Sequence, residues 1–193
     1  MRIAFLAAAS VLAFAAAPAV AAAAPVAAAV AQQDVTDAEL ASYAAAEEGV
    51  RAVQAQVQGQ ITAEQQAAMV EAIEGAGLTL DRFNAISQAV QAGDEILAAR
   101  LAVARAPESP AGSVGATATD AELGQFAAAM AAVRPIAEQL NGAAPTAEQQ
   151  TAMAEAIASS GLALERFNAI SAALPSDPRL QARVALAAAR SEG

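Results

Sequence analysis

The strongest constraint on this chain is a run that it contains twice. Gly77-Leu78-Thr79-Leu80-Asp81-Arg82-Phe83-Asn84-Ala85-Ile86-Ser87 returns almost unchanged as Gly161-Leu162-Ala163-Leu164-Glu165-Arg166-Phe167-Asn168-Ala169-Ile170-Ser171. Repetition at a fixed spacing is the mark of one structural unit written more than once. Composition narrows that unit to helix. Hydrophobic letters make up 56% of the chain but aromatics only 3%, and much of the excess is alanine, which has the highest helix propensity and loses no side-chain entropy. Alanine also buries little area, so the cores must depend on scattered Leu, Ile, Val, Met and Phe.

Apolar spacing divides each unit into about four short helices. Thr36 with Glu39, and Thr119 with Glu122, have capping-box spacing, in which a hydroxyl takes an orphan N–H and the carboxylate reaches back. The first helix then carries Leu40, Tyr43, Val50 and Val53, and its twin carries Leu123, Phe126, Met130, Val133 and Ile136 at three- and four-residue steps. Glu47 interrupts the first stripe where the second has Met130. After turns at Gly59-Gln60 and Asn141-Gly142, a second capping box follows, Thr62 with Gln65 and Thr146 with Gln149. That helix presents Met69 and Ile73, matched by Met153 and Ile157, and stops at Gly77 or Gly161. A third helix shows Leu80, Phe83, Ile86 and Val90, matched by Leu164, Phe167, Ile170 and Leu174. Asp94 caps the fourth, and Asp177-Pro178 does the same with Pro at the first helical position.

Residues 106–117 hold two prolines and two glycines without apolar periodicity, which reads as a flexible linker. The predicted fold is therefore all-α: two tandem small helical bundles, 35–105 and 118–190, on a string. Ahead of them, Arg2, the apolar run Ile3 to Ala17 and the small residues around Ala19 to Ala24 read as an export signal over residues 1–24. Residues 25–34 read as a disordered tether. The expected product is periplasmic or secreted, with no stable membrane insertion after cleavage.

Several chemistries are excluded by letter. Cysteine and histidine are absent, so no disulfide, thiolate nucleophile or imidazole metal site exists, and every basic side chain is Arg. A net charge of −10 argues against nucleic acid and anionic lipid, which reward clustered positive charge. Neither a nucleophile elbow nor a calcium loop occurs. Glu71 and Glu74 could pair for acid–base work, but no aromatic platform for a sugar accompanies them. The expectation is no enzyme, no cofactor and no metal.

The run of glycine, Leu, acid, Phe-Asn and Ile, followed by Asp177-Pro178-Arg179-Leu180, resembles the DUF4168 family of exported bacterial proteins. Copy one, with Gly93-Asp94-Glu95, lacks the proline. The resemblance implies export, an all-helical domain and no assigned activity, and it lends no catalytic residue.

Candidate binding residues come from what both copies keep. Charged positions recur as Arg51 and Arg134, Arg82 and Arg166, Arg100 and Arg183, Glu71 and Glu155, Asp94 and Asp177. They fit either an ionic groove for a partner or ion pairs within each unit. Asn84 and Asn168 are poor mid-helix residues on the edge of the stripe. Each is either a hydrogen bond that fixes helix crossing or a polar lip on an interaction groove. Arg82, Asn84, Arg166 and Asn168 are thus the candidate binding residues. The expected function is a periplasmic protein–protein interaction module for an envelope protein. The alternative is an ATP-independent chaperone for unfolded clients, since Thr62-Ala63-Glu64-Gln65-Gln66 is loosely similar to the Leu-Thr-x-x-Gln motif of Spy-like chaperones.

Overall fold

The computed structural model describes residues 35–57, 59–140 and 143–192. The expected signal, the tether and the Asn141-Gly142 turn lie outside the described residues. Within them the backbone forms nine α-helices and no strand. These are α1 (Asp37–Gln54), α2 (Ala63–Gly75), α3 (Leu80–Gln91), α4 (Glu95–Arg105), α5 (Val114–Thr117), α6 (Asp120–Gln139), α7 (Ala147–Ser159), α8 (Leu164–Ala173) and α9 (Pro178–Glu192).

Helix starts follow the capping pattern. Thr36, Thr62, Thr119 and Thr146 each accept the backbone N–H three residues on, and Glu39, Gln65, Glu122 and Gln149 reciprocate to the cap's own N–H. Two of the four orphan donors at each start are satisfied in this way. At the end of α2, Gly77 adopts φ +85°, a region that other residues enter at a cost. Its N–H reaches Glu74 O at 2.9 Å, and Leu78 N–H reaches Ile73 O at 3.2 Å. This Schellman closure also brings Leu78 and Ile73 into the same core.

Each unit has its own core. In the first, α1 lies on α2 and α4, and Leu40, Tyr43, Ala46, Ile73, Ile86 and Leu101 are buried together. In the second, α6 lies on α7 and α9, with Leu123, Phe126, Leu162, Ile170 and Leu180 buried. Tyr43 and Phe83 pack with ring centroids 4.8 Å apart, and Phe126 and Phe167 at 5.0 Å, the favoured range for tilted aromatic pairs. The units differ at one joint. A Cβ on Gly49 would lie 2.9 Å from Cβ of Ala72, so α1 and α2 approach closely only because that side chain is missing. Copy two has Ala132 at the aligned position, which denies α7 the same approach; Met153 is half-buried where Met69 is buried.

The linker is not free. Ser113 caps the single turn of α5, accepting Ala116 N–H at 3.2 Å, and α5 packs on α8 and α9. Ser109 donates to Asp177 Oδ1 at 2.9 Å, Arg183 donates to Gly115 O at 3.0 Å, and Arg179 donates to Ala106 O at 3.2 Å. A segment rich in Pro, Gly and Ser has few ladder bonds of its own, so its carbonyls and hydroxyls are open to the side chains of α9. The units are also not separate on a string, because α4 packs along α9.

Candidate functional site

The repeated run starts from its two arginines. Arg82 leaves the first turn of α3 and its Nε donates to Glu39 Oε1 at 2.7 Å; Arg166 leaves α8 and its Nε donates to Glu122 Oε1 at 2.8 Å. Both acids are the capping-box residues of their unit's first helix. Each carboxylate thereby closes a helix start and clamps the third helix to it. The Arg guanidinium and the Thr backbone N–H hold the carboxyls of Glu39 and Glu122 at a pKa of about 2, below the ordinary 4.5. Arg82 and Arg166 are thus engaged inside the fold, as ion pairs within each unit.

Asn84 and Asn168 sit two residues further along, about half a turn round the helix, and face outward. Both are exposed and neither makes a side-chain hydrogen bond among the described residues, so they do not fix a helix crossing. Asp81 and Glu165 are exposed beside them, and Leu164 is 51% exposed. The four candidates therefore split: the arginines point into each unit and the asparagines away from it.

The other recurring charges divide in a similar manner. Arg100 Nε donates to Asp37 Oδ1 at 2.8 Å and its Nη2 to Val35 O at 2.6 Å. Arg183 reaches Asp120 Oδ1 at 2.7 Å and Ala118 O at 2.8 Å. Arg51, Arg134, Glu71 and Glu155 are exposed. Asp94 caps α4 from an exposed position, as its spacing requires. Asp177 does more. It is only 5% exposed, its Oδ1 accepts Leu180 N–H at 2.9 Å and the Ser109 hydroxyl, and its Oδ2 has no hydrogen-bond partner. Burial pushes its carboxyl up, but the Leu180 N–H, the Ser109 hydroxyl, the Arg179 backbone and the Arg183 charge prevail, leaving it below the ordinary value.

One feature of the assembled units escaped the sequence reading. Where α4 lies along α9, a groove of about 420 Å³ opens between the units, lined by Arg100, Arg179, Arg183 and Arg190 together with Asp37, Glu108 and Asp120. Arg179, Arg183 and Arg190 recur at steps of four and seven along α9, which places them on one helix face. That spacing was the available signal. Among the described residues no group of three acidic side chains is arranged to hold a metal ion, and no helix is long and apolar enough to cross a membrane.

No curated protein and no solved structure matches this chain. Residues 144–184, which run from just before the cap of α7 into α9, match the family model DUF4168, a domain of unknown function.

Proposed function

We propose that the chain is a non-catalytic exported helical protein that binds an envelope partner protein through the outward faces of α3 and α8. Residues 35–105 are, on this reading, a diverged copy of the unit matched at 144–184. Export rests on the n-region, apolar run and small-residue sites of residues 1–24. The observation that carries the binding reading is Asn84 with Asn168. Both copies keep an Asn at an exposed mid-helix position, where alanine would favour the helix by a few tenths of a kcal/mol, up to about 0.7. Neither serves the fold through a hydrogen bond. A costly residue kept twice at the surface is best accounted for by something outside the chain.

The test is a double variant, Asn84→Ala with Asn168→Ala, compared with the parent by thermal melting and by crosslinking of the tagged protein in cells. Melting unchanged or slightly raised, with capture of one dominant partner lost, is the expected pair of results. A drop of several degrees, or undiminished capture, refutes the reading. A second reading, a holdase for unfolded clients, draws on exposed Ile96, Met130 and Leu164 (37%, 41% and 51% exposed), with Met suited to adaptable contacts. A broad set of captured clients that grows on heating would favour it over the first.

A further inference from the structure

We propose that the groove between the two units binds a small aliphatic carboxylate, with the acid group held by arginines and the chain laid on an apolar floor. The charge distribution is the first reason. Four of the ten arginines line this groove but only three of the twenty acidic residues. A chain of net charge −10 thus holds a local excess of positive charge at one concave place.

Donor availability is the second. Arg190 makes no ion pair and no side-chain hydrogen bond among the described residues. Arg179 uses only Nη1, towards Ala106 O and Glu108 Oε1, so its Nε and Nη2 remain for another acceptor. A guanidinium presents five N–H donors in a planar fork matched to a carboxylate. Arg100 and Arg183 are more fully used by backbone carbonyls and aspartates, and they supply field rather than direct contact.

The floor is the third. Val103 and Ala104 of α4, Leu123 and Gly124 of α6, and Leu186 and Ala187 of α9 line the same groove. Its volume falls within the range of small-ligand sites, which combine an apolar lining with a few placed polar groups. A bare anion would leave that floor in water, and a neutral chain would leave Arg190 without a counter-ion, since Arg100, Arg179 and Arg183 each already face a carboxylate. An amphiphilic acid satisfies both.

Gly124 provides a clean test. A Cβ there would meet nothing within 4 Å, so Gly124→Leu fills the groove from the α6 side and removes a helix-weakening glycine. Calorimetric titration of the purified chain with octanoate should show saturable binding that acetate and octan-1-ol do not match. Gly124→Leu should abolish it, and Arg190→Gln should weaken it by at least about tenfold, the scale of one charge-assisted contact. No saturable binding at millimolar octanoate overturns the proposal. So does equal binding of acetate or octan-1-ol, or octanoate binding that survives Arg190→Gln. Melting curves establish that each variant is folded, and the Arg190 variant keeps the test decisive if the leucine variant does not fold.

Discussion

Gly115→Ala tests how the linker is held to the second unit. A Cβ at this position would lie 2.0 Å from Asp177 Oδ2, 2.9 Å from Asp177 Cγ and 2.7 Å from Ser109 Oγ. A non-bonded carbon and oxygen need more than 3 Å, so the carboxylate must move by about an ångström or turn away. Either motion breaks the two bonds that Oδ1 makes. Losing the cap on Leu180 N–H costs about 1 kcal/mol, and losing the Ser109 hydroxyl costs about another. Residual crowding in a closed site adds about 1 kcal/mol more. The sum is a loss of about 3 kcal/mol, which for a chain of this length lowers Tm by roughly 6–12 °C.

Urea titration followed by far-UV circular dichroism measures the loss, and a double-mutant cycle with Asp177→Ala assigns its cause. With Asp177 shortened, two of the three nearest obstacles to the new methyl are gone, and the third, the Ser109 hydroxyl, can rotate away. Gly115 opens a helical turn at negative φ, so alanine there restricts the unfolded chain and is worth about 0.4–1 kcal/mol. The effect of Gly115→Ala should therefore change sign, from destabilising in the parent to neutral or stabilising in Asp177→Ala. The same loss in both backgrounds, or a loss below about 0.5 kcal/mol in the parent, would refute the argument that Asp177 is what excludes a side chain.

Acid sensitivity follows from the two clamps. Glu39 and Glu122 have folded pKa values of about 2 against an ordinary 4.5. Their stabilisation is present above about pH 5 and is lost as pH falls towards 2, because the unfolded chain takes up the protons first. Both side chains are nearly a third exposed, so each pair is worth about 1 kcal/mol; Glu39→Gln with Glu122→Gln should flatten urea midpoints measured from pH 6 to 3, and an unchanged slope would discount the clamps. The joint between α1 and α2 predicts that Gly49→Leu destabilises by about 1–3 kcal/mol through overpacking against Ala72. Gly124→Ala, with open space around it, should stabilise by up to about 1 kcal/mol in the same urea assay.

What was legible in the sequence is what acts within one or two helical turns. Capping boxes, apolar stripes and the glycine closures all concern residues three to five apart, and there the alternating demands of backbone bonding and burial leave few solutions. Arg82 was visible as a repeated charge, but its partner Glu39 lies 43 residues away, and nothing local joins them. Asn84 lay at the edge of a stripe, where a shift of a few degrees in helix rotation separates a buried amide from an exposed one; spacing alone does not decide it. The linker escaped for a related reason. Its letters are those of a mobile segment, and its order comes from Asp177 and Arg183, each 68 residues from the contact it makes.

Asp94 and Asp177 show where repetition ceases to inform. Both cap a fourth helix by the same backbone bond, yet Asp94 is exposed and Asp177 is buried under the linker. If the two units are copies, as proposed, repetition carries over the interactions that lie inside one unit, because both partners recur together. It does not transmit the contacts that one copy makes with the segment before it or with the other copy, since those partners occur once. The arginine groove belongs to this second kind: Arg100 and Arg183 recur because each serves its own unit, whereas Arg179 and Arg190 have no arginine at the aligned positions of copy one. The groove therefore depends on the pairing of α4 and α9, and the proposed octanoate binding is to be tested with both units present.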